Sequence, residues 1–472
     1  MRIWIAALAL ACAPLAAGAH PGHEHTPPWQ DASPWPDRVI VTFSDDPART
    51  LSVSWRTDDT VTETVAEIAP ATADARFDRA STTVGARTER IDLAAVTVAG
   101  ASHDVSHNAR LGKAHYHSVV FRGLKPDTLY AYRVRGARGT WSEWFQTRTA
   151  PESGPVTFVY LGDAQDAVLS HWSRVVRAAF QKAPNARFFL HAGDLVNRGS
   201  RDFEWAEWFK AVGFIHGMIP AIPVSGNHEY ERYAGTQVLS HLWRPQFTLP
   251  VDESLPEELR ETVYVVKYTA DLHIFVLDST NRKTLPVQAA WLDAQLAAST
   301  ARWKIVSQHH PVFSSGNERD SPDLRATLLP ILRKHRVDLM LQGHDHTYAR
   351  GAAPQTPERL SDGASGIIDT MFVNSVSGPK MYNFRGQGWD DYRKDGIGLA
   401  RKAENTPFFQ TITVDGDRLS YDAWTADGQL YDTFALRSRP DGRNDLIRGT
   451  AATIDERAFR NTAPYGGVGD LR

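Results

Sequence analysis

The sequence predicts an α/β domain preceded by an all-β sandwich. Three observations predict it. Short alternating strands with turn signals fill residues 37–149. From Val156 to about Arg437, apolar strand-like runs alternate with helical patterns. Ahead of both lies a basic, apolar leader that does not belong to the folded chain. At 472 residues the chain has room for two or three domains.

The leader comes first. Arg2 is followed by an apolar run, Ile3 to Ala17, and Ala17-Gly18-Ala19 is a small-x-small cleavage site. Residues 1–19 therefore read as a signal peptide, with a mature start near His20 and a secreted or periplasmic destination. The run is too short for a comfortable membrane span, and no other segment approaches its length. Cys12 is the only cysteine. The mature chain then has no disulfide, which suits a bacterial periplasm or exterior, and no thiolate for a metal site. A lipoprotein signal around Cys12 fits poorly. Residues 20–36 are rich in Pro and His without periodicity, and read as a linker. A net charge of −3 gives no support to nucleic-acid binding.

The sandwich occupies residues 37–150. Arg38 to Phe43 and Leu51 to Trp55 alternate, and His117 to Phe121, Tyr132 to Arg135 and Phe145 to Thr147 follow. The Val-Ser-Trp strand and the corner from Gly123 to Tyr130 resemble a fibronectin type III-like domain. Pro151 to Pro155 is the linker out. In the α/β region, residues 155–437, helical stripes run from Val168 to Lys182, from Pro286 to Ala298 and from Pro322 to about His335. Gly366 to Arg437 returns to strand patterns. Residues 438–472 are expected to be a weakly ordered tail.

Five apolar runs in this region end alike. Val156 to Leu161 leads into Gly162-Asp163, and Phe188 to Ala192 into Gly193-Asp194. Ala221 to Ser225 leads into Gly226-Asn227-His228-Glu229. Lys304 to Ser307 leads into Gln308-His309-His310-Pro311, and Val337 to Leu341 into Gln342-Gly343-His344-Asp345-His346. The carboxyl ends of buried strands are where α/β folds bind ligands. Carboxylate, amide oxygen and imidazole suit Fe, Mn or Zn. Any one of these motifs alone is weak, because an Asp after a strand is more often a turn or cap. The ordered set of five carries the argument. Two cations clamp a phosphoryl group and acidify a bridging water, and a nearby histidine can protonate the leaving alkoxide.

This order resembles the metallophosphoesterase superfamily. With the sandwich in front it is most similar to the purple acid phosphatases, particularly their bacterial relatives. The resemblance implies a four-layer α/β/β/α sandwich and two divalent or trivalent metal ions (Fe, Mn or Zn). It implies an acid phosphatase-like phosphomonoesterase with a metal-bound hydroxide as nucleophile and a phosphorylated small molecule as substrate. A phosphodiesterase or nucleotidase of the same superfamily is the near alternative. A cell-surface binding protein with a degenerate phosphoesterase domain is the distant one.

Carried over by position, Asp163 and His346 resemble ligands of the first metal, and Asp194 resembles the bridge. Asn227, His309 and His344 resemble ligands of the second metal, and His228 the histidine that contacts phosphate or acts as general acid. His310 either supports a ligand or is simply packed. Two positions depart from the pattern. Asn197 stands where the purple enzymes carry the tyrosine that gives the colour, and Gln165 stands two residues after the first Asp, where many members have histidine. Each supplies an amide oxygen to the first metal or hydrogen-bonds a ligand or water. Arg198 and Arg350 are candidate phosphate contacts, or ordinary surface arginines.

Overall fold

A strand buried on both faces sends alternate side chains to different cores, so its sequence reads as one apolar run. The computed structural model, which describes residues 30–96, 108–233, 236–353, 364–449 and 453–457, shows this division. Ile274, Ile305, Leu339, Leu341 and Val373 enter one core. Their neighbours Phe275, Val306, Met340 and Phe372 enter another.

These residues belong to a seven-stranded sheet. Its order is Tyr264–Thr269, Leu272–Val276, Trp303–Ser307, Leu339–Gln342, Thr370–Asn374, Tyr348–Ala353, Gly398–Ala403. The four strands from Leu272–Val276 to Thr370–Asn374 run parallel. Helices Leu285–Ala298 and Pro322–Lys334 supply Leu292, Leu324 and Leu328 to the core on its outer face. Each carries a proline in its first turn, where no backbone N–H is missed.

The second sheet contains Val156–Leu161, Phe189–His191 and Ala221–Pro223, all parallel. Phe408–Asp415, Arg418–Thr425 and Leu430–Ser438 extend it antiparallel. Helices Ser173–Lys182 and Asp202–Val212 add Val176, Trp205 and Trp208 to its core. A π-helical turn, Val168–Trp172, precedes the first of these helices. The layers are therefore helix, sheet, sheet, helix.

This second sheet does not stop at the domain boundary. Thr42 pairs in parallel with Ala221, so the sandwich strands Asp37–Thr42, Leu51–Asp58, Lys113–Phe121 and Arg87–Asp92 continue it into one twelve-stranded sheet. A four-stranded sheet, Thr82–Gly85, Val65–Pro70, Leu129–Val134 and Phe145–Arg148, closes the sandwich over Val53, Trp55 and Tyr132. A buried charge network locks the join. Arg38 holds Asp202 through two contacts of 2.8 Å, and Arg56 bridges Asp37 at 2.6 Å and Asp202 at 3.4 Å.

One helix went unread in the sequence, and one expectation is corrected. Helix Asp202–Val212 carried no helical stripe because it is buried nearly all round, with Trp205, Ala206, Trp208, Phe209 and Val212 all inside. The expected tail begins as ordered structure. Asn444–Arg448 is a strand between Leu430–Ser438 and Ala364–Ile368. It is anchored where the Asn444 amide donates to Asp338 Oδ1 at 2.7 Å. The leader, most of the linker and residues 458–472 lie outside the described residues.

Candidate metal centre

Three of the five apolar runs lie in the twelve-stranded sheet and two in the seven-stranded one, and the turns after them meet. Two glycines make the approach possible. Gly193 has φ +88°, and a Cβ there would lie 2.5 Å from His309 Nδ1. A Cβ on Gly343 would lie 2.2 Å from Asp163 Oδ1. No larger residue fits either position without displacing a candidate ligand.

The structure brings together Asp163, Asp194, Asn227, His309, His344 and His346. Donor atoms of Asp163, Asp194 and His346 converge within 4.8 Å of one another, and so do those of Asp194, His309 and His344. Asp194 belongs to both groups. Asn227 Oδ1 joins the second group, 3.2 Å from His309 Nε2.

Backbone contacts fix which nitrogen each histidine presents. His309 Nδ1 lies 2.9 Å from the Ala192 carbonyl, and His346 Nδ1 lies 2.7 Å from the Lys380 carbonyl. Both rings therefore donate outward from Nδ1 and turn a bare Nε2 inward. His309 Nε2 faces His344 Nδ1 at 3.2 Å and Asp194 Oδ2 at 3.1 Å. Imidazole nitrogens and a carboxylate oxygen thus crowd one another, an arrangement that a cation relieves. In the bare cluster a proton does so. Burial works against charge on His309, but Asp194 and Asp163 overcome it and push the imidazole up to about 9. Burial raises Asp163 to about 7, while the charges of His309 and His228 hold Asp194 well below the usual carboxylate range despite its burial. The donor set fits metal ions.

His228 lies beside this cluster. Its Nδ1–H donates to the Asn197 carbonyl at 2.6 Å, and its Nε2 is 3.9 Å from Asp194 Oδ2. Burial pushes its imidazole down to about 4; Asp194 opposes that shift, and Lys380 and Arg198 add to it. Arg198 Nη1 sits 3.1 Å from His228 Nδ1, so this arginine is at the cleft.

The two departures separate. The Gln165 amide nitrogen is 2.9 Å from Asp194 Oδ2 and 2.9 Å from His346 Nε2, inside the first group. The side chain of Asn197 has no such contact, and it is the main-chain oxygen that works, on His228. His310 packs 4.1 Å from the His344 ring and bonds Ser279 Oγ at 3.0 Å, and its burial keeps it neutral. Arg350 is corrected. Its guanidinium is buried and bidentate on Asp432, at 2.5 and 2.9 Å, over the Phe434 ring. Held by Asp432 within the core, it is not free for the phosphate contact considered for it.

Sequence reasoning assigned no role to several residues found here. Glu229 accepts the backbone N–H groups of Asp194 at 3.0 Å, Leu195 at 2.8 Å and Gly226 at 2.7 Å, and so fixes the turn that presents Asp194. Lys380, Tyr382 and Arg319 rim the opening. Tyr382 stacks 4.6 Å from His346, and Arg319 lies 4.6 Å over Tyr382. Their stretches of sequence carry no motif.

Comparison with known proteins assigns the two domains. Residues 36–149 match the purple acid phosphatase N-terminal domain, and residues 148–348 match the calcineurin-like phosphoesterase domain. The chain carries a calcineurin-like metallophosphoesterase domain behind a purple acid phosphatase N-terminal domain. Probable purple acid phosphatase 20 of Arabidopsis thaliana is 27% identical to this chain over 276 residues, 54% of this chain and 61% of that one. The chain thus spans about three fifths of that relative's length. A purple acid phosphatase structure from yellow lupin seeds has the same fold, with a TM-score of 0.66 at 18% identity, covering 86% of this chain and 75% of the other. A PhoD structure does so over 95% of both chains, with a TM-score of 0.60 at 14% identity. Among the described residues, no helix is long and apolar enough to cross a membrane.

Proposed function

We propose that the protein is an exported dinuclear-metal phosphomonoesterase. The observation that carries this reading is the single carboxylate, Asp194, shared by two converging donor groups. Asp163 and His346 would hold one ion, Asn227, His309 and His344 the other, and Asp194 both. Bound there, Fe, Mn or Zn ions supply an activated water and neutralise phosphoryl charge.

The chain's own residues do the rest. The Asn197 carbonyl fixes His228 so that Nε2 faces the cleft. A buried imidazole with a lowered pKa is a strong acid once protonated, and His228 Nε2 delivers a proton to the leaving alkoxide. Arg198 places a fixed positive charge beside it. Export rests on the leader alone: cleavage after Ala19 would put the mature N-terminus at or near His20.

Metal analysis of the purified protein, with a panel of phosphomonoesters and phosphodiesters, tests the reading. Two ions per chain and faster monoester turnover are expected. Full activity with one ion or fewer would overturn the dinuclear centre. Faster diester turnover would make the protein a phosphodiesterase. Two ions without turnover of either ester would leave a binding protein.

A further inference from the structure

Lys380 follows the strand Thr370–Asn374 and reaches the first donor group from two directions. Its carbonyl holds His346 Nδ1 at 2.7 Å, and its Nζ donates to Gln165 Oε1 at 3.3 Å. The other end of that same amide lies 2.9 Å from Asp194 Oδ2. The ammonium is therefore one amide away from the shared carboxylate. Its charge also acts on His228, His346 and Asp166, which surround the opening.

The other cations of the rim are partly engaged. Arg319 donates to the His344 carbonyl at 3.0 Å and faces Asp345 Oδ1 at 3.7 Å. Arg198 donates to the Asn197 carbonyl at 2.8 Å. Among the described residues, Lys380 has no carboxylate within ion-pair distance, and it is half-buried. A half-buried ammonium that donates to a neutral amide oxygen and lies 5.8 Å from the Tyr382 ring centroid retains most of its capacity to bind an anion.

We propose that Lys380 contacts a non-bridging phosphoryl oxygen of the substrate and selects phosphomonoesters over phosphodiesters. The inference rests on the phosphatase reading above. A monoester carries a second negative charge above a pKa of about 6, whereas a diester carries only one. A cation beside the metal cluster favours the dianion. The lysine's flexible stem and three donors suit a mobile phosphoryl group.

The test uses the metal-loaded full chain, with Lys380→Gln and Lys380→Arg as variants. In Lys380→Gln the metal content should stay at the parent value, and inorganic phosphate should bind roughly tenfold or more weakly by calorimetry. Its kcat/KM for 4-nitrophenyl phosphate should fall by about tenfold to a hundredfold, with a much smaller loss for bis(4-nitrophenyl) phosphate. Lys380→Arg should recover most of both losses. Equal losses for the two esters, unchanged phosphate binding, or loss of a metal ion would overturn the proposal; the last would make Lys380 a clamp on Gln165. If the parent protein hydrolyses neither ester, the phosphatase reading fails, and phosphate calorimetry still decides whether Lys380 binds the anion.

Discussion

At the residue scale, position and chemistry separate two neighbours in space. Asp194 Oδ1 accepts the His228 backbone N–H at 2.9 Å, while Oδ2 faces His309. Its carboxylate is shared by two donor groups. Asp194→Asn is therefore expected to deplete both ions and to lower kcat by more than roughly a hundredfold. Metal analysis that finds one ion retained at full occupancy would remove the bridge. His228 is different, because its Nδ1 is engaged by a carbonyl and its Nε2 is 3.9 Å from Asp194 Oδ2. His228→Ala should keep two ions and slow turnover by about a hundredfold. The loss should shrink for good leaving groups such as nitrophenolate, which need little protonation. A deficit that ignores leaving-group pKa would make His228 a structural residue.

At the element scale, the strand Phe189–His191 and the helix Ile215–Met218 meet through two buried histidines, His191 and His216. Their Nε2 atoms lie 2.9 Å apart, and His216 Nδ1 is 3.3 Å from the Ile219 carbonyl. Only one proton fits between the two rings. Burial pushes His191 well below its ordinary value and His216 down to about 4. The unfolded chain binds these protons near pH 6.5, before the folded one does. The contribution is thus complete above pH 6.5 and is lost as pH falls towards 4, at roughly 3 kcal/mol for His216. In the metal-free protein, Tm should fall over this range, and His216→Gln should flatten the fall. Equal slopes for the two proteins would place the acid-labile element elsewhere.

At the scale of the whole molecule, the twelve-stranded sheet makes the sandwich a structural continuation of the phosphoesterase domain. Asp202 stands at the join. Burial disfavours its charge, and Arg38 and Arg56 together hold its pKa below the ordinary value. Asp202→Ala would strand the guanidinium of Arg38, whose side chain is 4% exposed, and would leave the fully buried Arg56 with Asp37 as its carboxylate partner. Unfolding free energy should drop by about 3–5 kcal/mol. Amide exchange should accelerate in Asp37–Thr42 and Ala221–Pro223, the two strands that meet there. A change under about 1 kcal/mol would mean that the sheet alone holds the domains together.

The sequence by itself determined the strand ends. An apolar run followed by glycine and a hard donor is a local signal, because the same few residues create the buried strand, the tight turn and the projecting ligand. The convergence of Asp163, Asp194, Asn227, His309, His344 and His346 was legible for that reason. Tertiary structure decided what the long side chains between those motifs do. Arg350 looked like a surface cation, yet Asp432, 82 residues away, draws it into the core. Lys380 carried no motif and acquires its position through Gln165, 215 residues earlier. Asn444–Arg448 lacked a pattern because its pairing to Leu430–Ser438 and Ala364–Ile368, rather than its own periodicity, makes it a strand. Short-range chemistry fixes where a ligand can stand, whereas a flexible charged side chain takes its role from whichever counter-group the packed fold puts within reach.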